Sequence, residues 1–151
     1  MITVRHPLYA SPDRGIALAA SILATHGFRV TPSDITVHAV GPSLNSNKEN
    51  PLRGAGTVLL VFADGAVEGT ADLAGTRRLC LFIRVFPPLL VGFLSIFFFF
   101  ANGLRSGVQA ACGLAPMLLV WLIVGPLLAG WIRSRSEAAF RTFVANVAVA
   151  R

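Results

Sequence analysis

Charge is the scarcest property of this sequence. Only 13% of its 151 residues are charged, whereas a typical soluble protein carries roughly 25%. The shortage is concentrated, because residues 85–101 and 108–132 contain no charged side chain at all. A short polar break that includes Arg105 separates these two runs. This distribution is unlike that of an average soluble protein, and it predicts a transmembrane helical hairpin.

Cysteine and histidine are also scarce. In a hairpin, Cys80 and Cys112 fall near opposite faces of the bilayer, too far apart for the ~7 Å between Cα atoms that a disulfide tolerates. His6, His26 and His38 are scattered, and no cysteine lies near them at metal-ligand spacing. Because a zinc site needs about four clustered ligands, we expect neither a metal nor a cofactor.

Motifs that would indicate catalysis are missing from the sequence. We find no nucleophile elbow, P-loop or dinucleotide fingerprint. Gly54-Ala55-Gly56 precedes a predicted strand instead of linking a strand to a helix, so it lacks the context for phosphate binding. Glu68 and Asp72 share one face of a predicted strand, and we expect this face to be exposed to solvent instead of forming a catalytic pair. No acid or base lies deep in either apolar run, so the usual sign of an ion pathway is absent. We therefore predict that the protein is not an enzyme.

Residues 1–76 predict an α+β domain in which one helix packs against roughly three antiparallel strands. Ser11 has the character of an N-cap, and Pro12 suits the first helical position. Gly27 is a stop signal, so the helix should run from about Pro12 to His26. Arg5 and Arg14, followed by the apolar residues 16–24, also resemble a secretory signal peptide. The Ser11–Pro12 start favours a retained soluble helix.

Alternating and β-branched residues predict the strands of this domain. The segments are 34–40, 57–63 and 66–72, with a shorter candidate at 28–31. In the first of them Ile35, Val37 and Ala39 should share the buried face. Asp64–Gly65 is a strong hairpin signal, because both central residues of a type I′ turn need positive φ. Residues 41–54 are rich in Gly, Pro, Ser and Asn and predict a long loop.

The hairpin is predicted to occupy residues 77–133. Its two spans should lie at about 79–104 and 108–132. Pro87 offers a second start for the first span, because proline fits best in the first turn of a helix. Pro116 and Pro126 should kink the second span.

Residues 134–151 are predicted to form an amphipathic C-terminal helix. Ser134 and Glu137 have the spacing of a capping box. Phe140, Phe143, Val144, Val147 and Ala148 form one apolar stripe. Such a helix either lies on the bilayer or packs against the N-terminal domain, and the sequence leaves both possibilities open.

Three groups of residues are candidates for helix packing, partner binding or contact with the membrane surface. Small residues that allow close helix approach recur at Gly107, Ala111, Ala115, Gly125 and Ala129. Four consecutive aromatic rings, which cannot all face one neighbour, are Phe97, Phe98, Phe99 and Phe100. Residues that mark the membrane surface are Arg77, Arg78, Arg84, Trp131, Arg133 and Arg135.

Charge distribution predicts the orientation and the compartment. The connecting loop carries only Arg105, whereas five arginines lie near the ends of the spans on the side of the two termini. The positive-inside rule then places both termini in the cytoplasm. Arginine outnumbers lysine, of which Lys48 is the only one, which is typical of GC-rich bacterial coding and suggests a bacterial inner membrane.

These observations favour a non-catalytic accessory or scaffold subunit of a larger membrane complex. We expect its partners to be the lipid bilayer and other membrane subunits, or further copies of the same chain. A small oligomeric transport or channel component is the alternative, and sensing of the lipid surface by the flanking arginines is a third. Nucleic acid is not expected, because no basic run carries interleaved aromatic residues.

Overall fold

A computed structural model describes residues 1–41, 52 and 54–149 of the chain. The chain divides into two compact units. The sheet unit comprises Met1–Arg77 and Arg133–Arg151, and the hairpin unit comprises Arg78–Ile132. The chain therefore leaves the sheet unit once and returns to it. The long loop predicted for residues 41–54 falls largely outside the described residues.

The described residues form an α+β fold, as predicted, with five antiparallel strands and three helices. The strands are β1 (Ile2–Pro7), β2 (Arg29–Pro32), β3 (Thr36–Val40), β4 (Thr57–Ala63) and β5 (Ala66–Asp72). The helices are α1 (Pro12–Thr25), α2 (Ala74–Asn102) and α3 (Leu104–Ala148). Within the sheet the order is β1-β5-β4-β3-β2. The prediction of roughly three strands was too low, because β1 and β2 complete the sheet at its two edges.

The helix and the tight turn of the sheet unit follow the sequence signals closely. Pro12 occupies the beginning of α1, while the Ser11 side chain makes no capping hydrogen bond. Gly27 has a φ of 81°, and the Phe28 amide donates to the Leu23 carbonyl, which closes the C-terminus of the helix. Both residues of the Asp64–Gly65 turn have positive φ, 52° and 66°, as a type I′ turn requires.

Both helical layers of the sheet unit cover the same face of the sheet. A Cβ atom placed on Gly15 of α1 would lie 2.7 Å from the Phe62 ring. One placed on Gly69 of β5 would lie 2.6 Å from Cγ2 of Val144 in α3. Phe62 and Gly69 share a sheet face, because Leu60 pairs with Gly69 and Phe62 lies two residues further along β4.

The C-terminal part of α3 supplies a large share of the core of the sheet unit. Its buried residues are Phe140, Phe143, Val144, Val147 and Ala148. The amide of Tyr9 also donates to the Ala148 carbonyl at 2.9 Å. The sequence allowed this segment either to lie on the bilayer or to pack against the N-terminal domain. In the structure it packs against the sheet of that domain.

The structure does not contain the separate C-terminal helix start that the sequence suggested. Ser134 and Glu137 lie inside α3, which is continuous from Leu104 to Ala148. Instead of capping a helix, the Glu137 carboxylate accepts a hydrogen bond from Arg133 Nε at 2.8 Å. The capping-box interpretation was wrong because the apolar turns before Ser134 continue the helix without a break.

The opposite face of the sheet is uncovered by any element in the described part of the chain. The register places Thr3, Thr70, Leu59 and His38 side by side across this face. Leu59 and Val40 are 38% and 46% exposed. Ile35, which was expected on the buried face, precedes β3 and is exposed.

The two long helices meet at a single residue, Gly103, whose φ of 86° ends α2. Helix α2 begins at Ala74 and runs through Pro87 and Pro88, so Pro87 does not begin the helix. By length and composition, α2 and α3 are each long and apolar enough to cross a membrane. Only 6% of the most apolar window of each helix is buried.

Replacing Gly69 tests the packing of α3 on the sheet. A valine there has no room beside Val144 and Phe140, so Gly69→Val should lower the free energy of unfolding by about 1–3 kcal/mol. Amide hydrogen exchange of β4 and β5 in the full chain should accelerate accordingly. Thr70→Val, on the uncovered face, is the matched control and should leave exchange nearly unchanged. Equal protection in both variants would contradict this packing.

Candidate functional site

The hairpin unit is held together at its closed end by a glycine against an aromatic residue. A Cβ atom on Gly107 would lie 2.8 Å from Phe99 Cβ and 3.0 Å from Phe99 Cα. The Gly103 amide donates to the Phe99 carbonyl at 2.9 Å. Any side chain at position 107 would therefore push α2 and α3 apart where they begin to run antiparallel.

Trp121 donates a hydrogen bond to a carbonyl that a proline has left without its helical donor. In an α-helix the Ile83 carbonyl would accept from the amide of residue 87, but Pro87 has no N–H. The indole Nε1 of Trp121 on α3 lies 2.8 Å from this carbonyl oxygen. In an apolar surrounding an unpaired carbonyl is costly. The contact therefore offsets the loss caused by Pro87.

A third contact between the helices lies nearest the open end of the hairpin. The Cys80 thiol donates to the Ala129 carbonyl, with the sulfur 3.4 Å from the oxygen. In all three contacts the paired residues lie at nearly equal distances along the chain on either side of Gly103. The two helices are therefore antiparallel over most of their length in the hairpin unit.

The predicted small-residue group divides into buried and exposed members. Gly107, Gly125 and Ala129 are buried, whereas Ala111 and Ala115 are exposed. Gly125 is contacted by its own helix, since a Cβ atom there would lie 3.1 Å from Trp121 Nε1. Ala111 and Ala115 thus leave a shallow strip on the outer surface of α3.

The four phenylalanines that precede the hairpin turn are all exposed. Phe97 packs edge to face with Phe98, and Phe99 packs in the same way with Phe100. Phe99 and Phe100 also line a shallow cavity of about 270 Å³ together with Gly107 and Ala111. The rings are therefore exposed, while Phe99 also packs against Gly107 of the other helix.

All six residues predicted at the membrane surface are exposed. They are Arg77, Arg78, Arg84, Trp131, Arg133 and Arg135. In the ion pair between Arg133 and Glu137, the arginine side chain is 75% exposed. An ion pair so open to solvent contributes at most about 1 kcal/mol to stability.

The described residues hold no group of three or more His, Cys, Asp and Glu side chains that could bind a metal. His38 is exposed, while His6 and His26 are half-buried. Thr76 is the buried polar side chain of the described residues, and it packs close to Gly54 at the beginning of α2. The geometry therefore offers helix packing and exposed surfaces as its distinguishing features.

Comparison of the chain with family models, with curated proteins and with solved structures finds no match.

Sequence reasoning missed the contact between Trp121 and Ile83. The signal was present, since Pro87 removes the donor for the carbonyl four residues earlier. Trp121 also lies almost opposite Ile83 when positions are counted outward from Gly103. Combining these two observations would have identified the pair.

A double-mutant cycle tests whether Trp121 compensates for Pro87. Trp121→Phe removes the donor and should cost about 0.6 kcal/mol, up to about 1.7, as interhelical hydrogen bonds in membranes do. Pro87→Ala restores the amide that Ile83 lacks, so Trp121→Phe should cost less in that background. Unfolding of the purified protein in mixed micelles measures all four variants. Additive effects would contradict the compensation.

Proposed function

We propose that the protein is a non-catalytic, two-span integral membrane protein that serves as an accessory or scaffold subunit of a larger membrane complex. One observation carries the proposal: only 6% of the most apolar window of α2, and of α3, is buried, because a hairpin has no third layer to cover it. Soluble monomers rarely expose contiguous apolar patches larger than a few hundred Å². A bilayer and partner helices provide the missing cover.

The division of the chain supports a hairpin with both ends on one side of the membrane. Arg77 and Arg133, at the two ends of the hairpin unit, both belong to the sheet unit. A single folded unit cannot lie on both sides of a bilayer, so the chain crosses an even number of times. Two candidate spans satisfy this condition.

The sheet unit is proposed to lie in the cytoplasm of a bacterial cell, with the hairpin in the inner membrane. The arginines that flank the hairpin are exposed and outnumber Arg105, the one arginine of the turn. Segments rich in arginine next to a membrane span usually stay on the cytoplasmic side, so this distribution favours the proposed orientation. The segment 134–149 is proposed to be amphipathic, with its apolar stripe on the sheet and Arg135 and Arg141 in solvent.

Two exposed surfaces favour a protein that binds partners over one that acts alone. In the hairpin unit, Ala111 and Ala115 leave a strip on α3 that another helix can approach closely. In the sheet unit, the uncovered face presents Leu59 and Val40. The sheet unit is then a scaffold that a cytoplasmic partner contacts, while the hairpin joins neighbouring spans.

Gentle extraction of the tagged protein from its own membranes, followed by native mass spectrometry, tests this role. An accessory subunit should emerge with defined partners in a fixed ratio. Ala111→Leu combined with Ala115→Leu should remove the membrane partner, because the bulkier side chains block close approach. Val120→Leu, elsewhere on exposed α3, is the control and should retain it. A lone monomer would contradict the proposal, and a closed homo-oligomer would favour a channel or transport component.

A further inference from the structure

Two arginines and two aliphatic side chains share one exposed face at the beginning of α2. At about 100° per residue, Arg78, Leu81, Arg84 and Val85 fall within about 120° of the helix circumference. All four are exposed, Leu81 by 62%. No other part of the described chain covers this face.

The contacts with α3 lie outside this face of α2. Cys80 and Ile83, which meet Ala129 and Trp121, are both half-buried. By the same count Ile83 lies about 160° from the middle of the arginine-bearing face, whereas Cys80 lies about 40° from Arg84, at the border of that face. Arg78 and Arg84 are both exposed, so the described part of the chain leaves their side chains open to other molecules.

The two arginines are arranged to approach one anion. They are about 9 Å apart along the helix axis at 1.5 Å per residue. Both side chains lean toward the N-terminus of the helix, and their long aliphatic stems allow both guanidinium groups to extend to the level of the lipid headgroups. Helix α2 contains no acidic residue, and no ion pair in the described part of the chain involves either arginine. Guanidinium groups bind phosphate oxygens in a bidentate manner, so the chemistry fits a phosphate.

The face continues from the arginines into an exposed aliphatic stripe. Leu81, Val85 and Leu89 follow one another at four-residue spacing, and Leu89 is 65% exposed. Further along, a Cβ atom on Gly92 would have nothing within 4 Å. Leu81 lies between the two arginines along the helix, and Val85 and Leu89 lie beyond both of them. A positive pair followed by apolar side chains matches a phospholipid, whose phosphate and acyl chain are joined in the same order.

We propose that this face of α2 is a binding site for an anionic phospholipid. Arg78 and Arg84 hold its phosphate at the cytoplasmic surface, and an acyl chain lies along Val85 and Leu89. Excess negative charge on the headgroup strengthens binding beyond that of a zwitterionic lipid. This inference rests on the proposed insertion of the hairpin in a membrane.

Lipid retention by the purified full chain tests the site. The protein in neutral detergent is titrated with phosphatidylglycerol or with phosphatidylcholine of the same acyl chains, and bound lipid is counted by native mass spectrometry. Phosphatidylglycerol should be retained preferentially. R78Q/R84Q should weaken its binding about thirtyfold, since each of the two arginines contributes about 1 kcal/mol near an anionic surface. R14Q/R29Q, an equal loss of charge at exposed positions of the sheet unit, should bind as the wild type does.

R78K/R84K separates charge from geometry, and it should retain part of the preference because lysine keeps the charge without the bidentate fork. The proposal is overturned by equal retention of the two lipids or by equal loss in the R14Q/R29Q control. Displacement by excess inorganic phosphate, or occupancy of the arginines by an acidic protein, would also overturn it.

Reconstitution into phosphatidylcholine nanodiscs separates this inference from the proposed function. Failure to enter such nanodiscs contradicts a membrane hairpin altogether. Entry without any preference for phosphatidylglycerol contradicts only the lipid site.

Discussion

The structure depends on the return of the chain to the sheet after the hairpin. Phe140, Val144 and Val147 are fully buried in the core of the sheet unit, although the whole hairpin separates them from the strands in sequence. Burial of each such side chain contributes about 1.5–3 kcal/mol. The sheet face that they cover would otherwise lie open beside α1. The sheet unit is therefore complete only when the chain has made the hairpin and come back, which ties both ends of the hairpin to one folded body.

Inside the hairpin, the constraint is the satisfaction of backbone groups in apolar surroundings. Pro87 lies within α2 and leaves the Ile83 carbonyl without a helical donor. The Trp121 indole provides a donor from α3, and Gly107 lets the helices approach at Phe99. A proline that would weaken a single helix thus becomes a point where the two helices are joined.

Local signals in the sequence predicted local structure well. Ser11–Pro12 and Gly27 bound α1, and Asp64–Gly65 formed the predicted turn, because each depends on residues adjacent in the chain. The edge strand β1 was underestimated, since its pairing with β5 joins segments far apart in sequence. Continuity of α3 through Ser134 was also missed, because a capping motif marks a helix start only where the preceding residues are not helical, and here the preceding turns belong to α3. The sequence did not predict that Ala111 is exposed while Gly107 is buried. This difference depends on how α2 and α3 are aligned against each other, which neither helix determines alone.

Cysteine accessibility in intact cells tests the central claim, a two-span protein with its sheet unit in the cytoplasm. In a background of Cys80→Ser and Cys112→Ser, Ser106→Cys places one thiol beside the hairpin turn, and Thr142→Cys places one on the exposed surface of the sheet unit. A membrane-impermeant maleimide should label Ser106→Cys in intact cells. It should label Thr142→Cys only after the cells are opened. Labelling of Ser106→Cys only in opened cells, or labelling of Thr142→Cys in intact cells, would contradict the account.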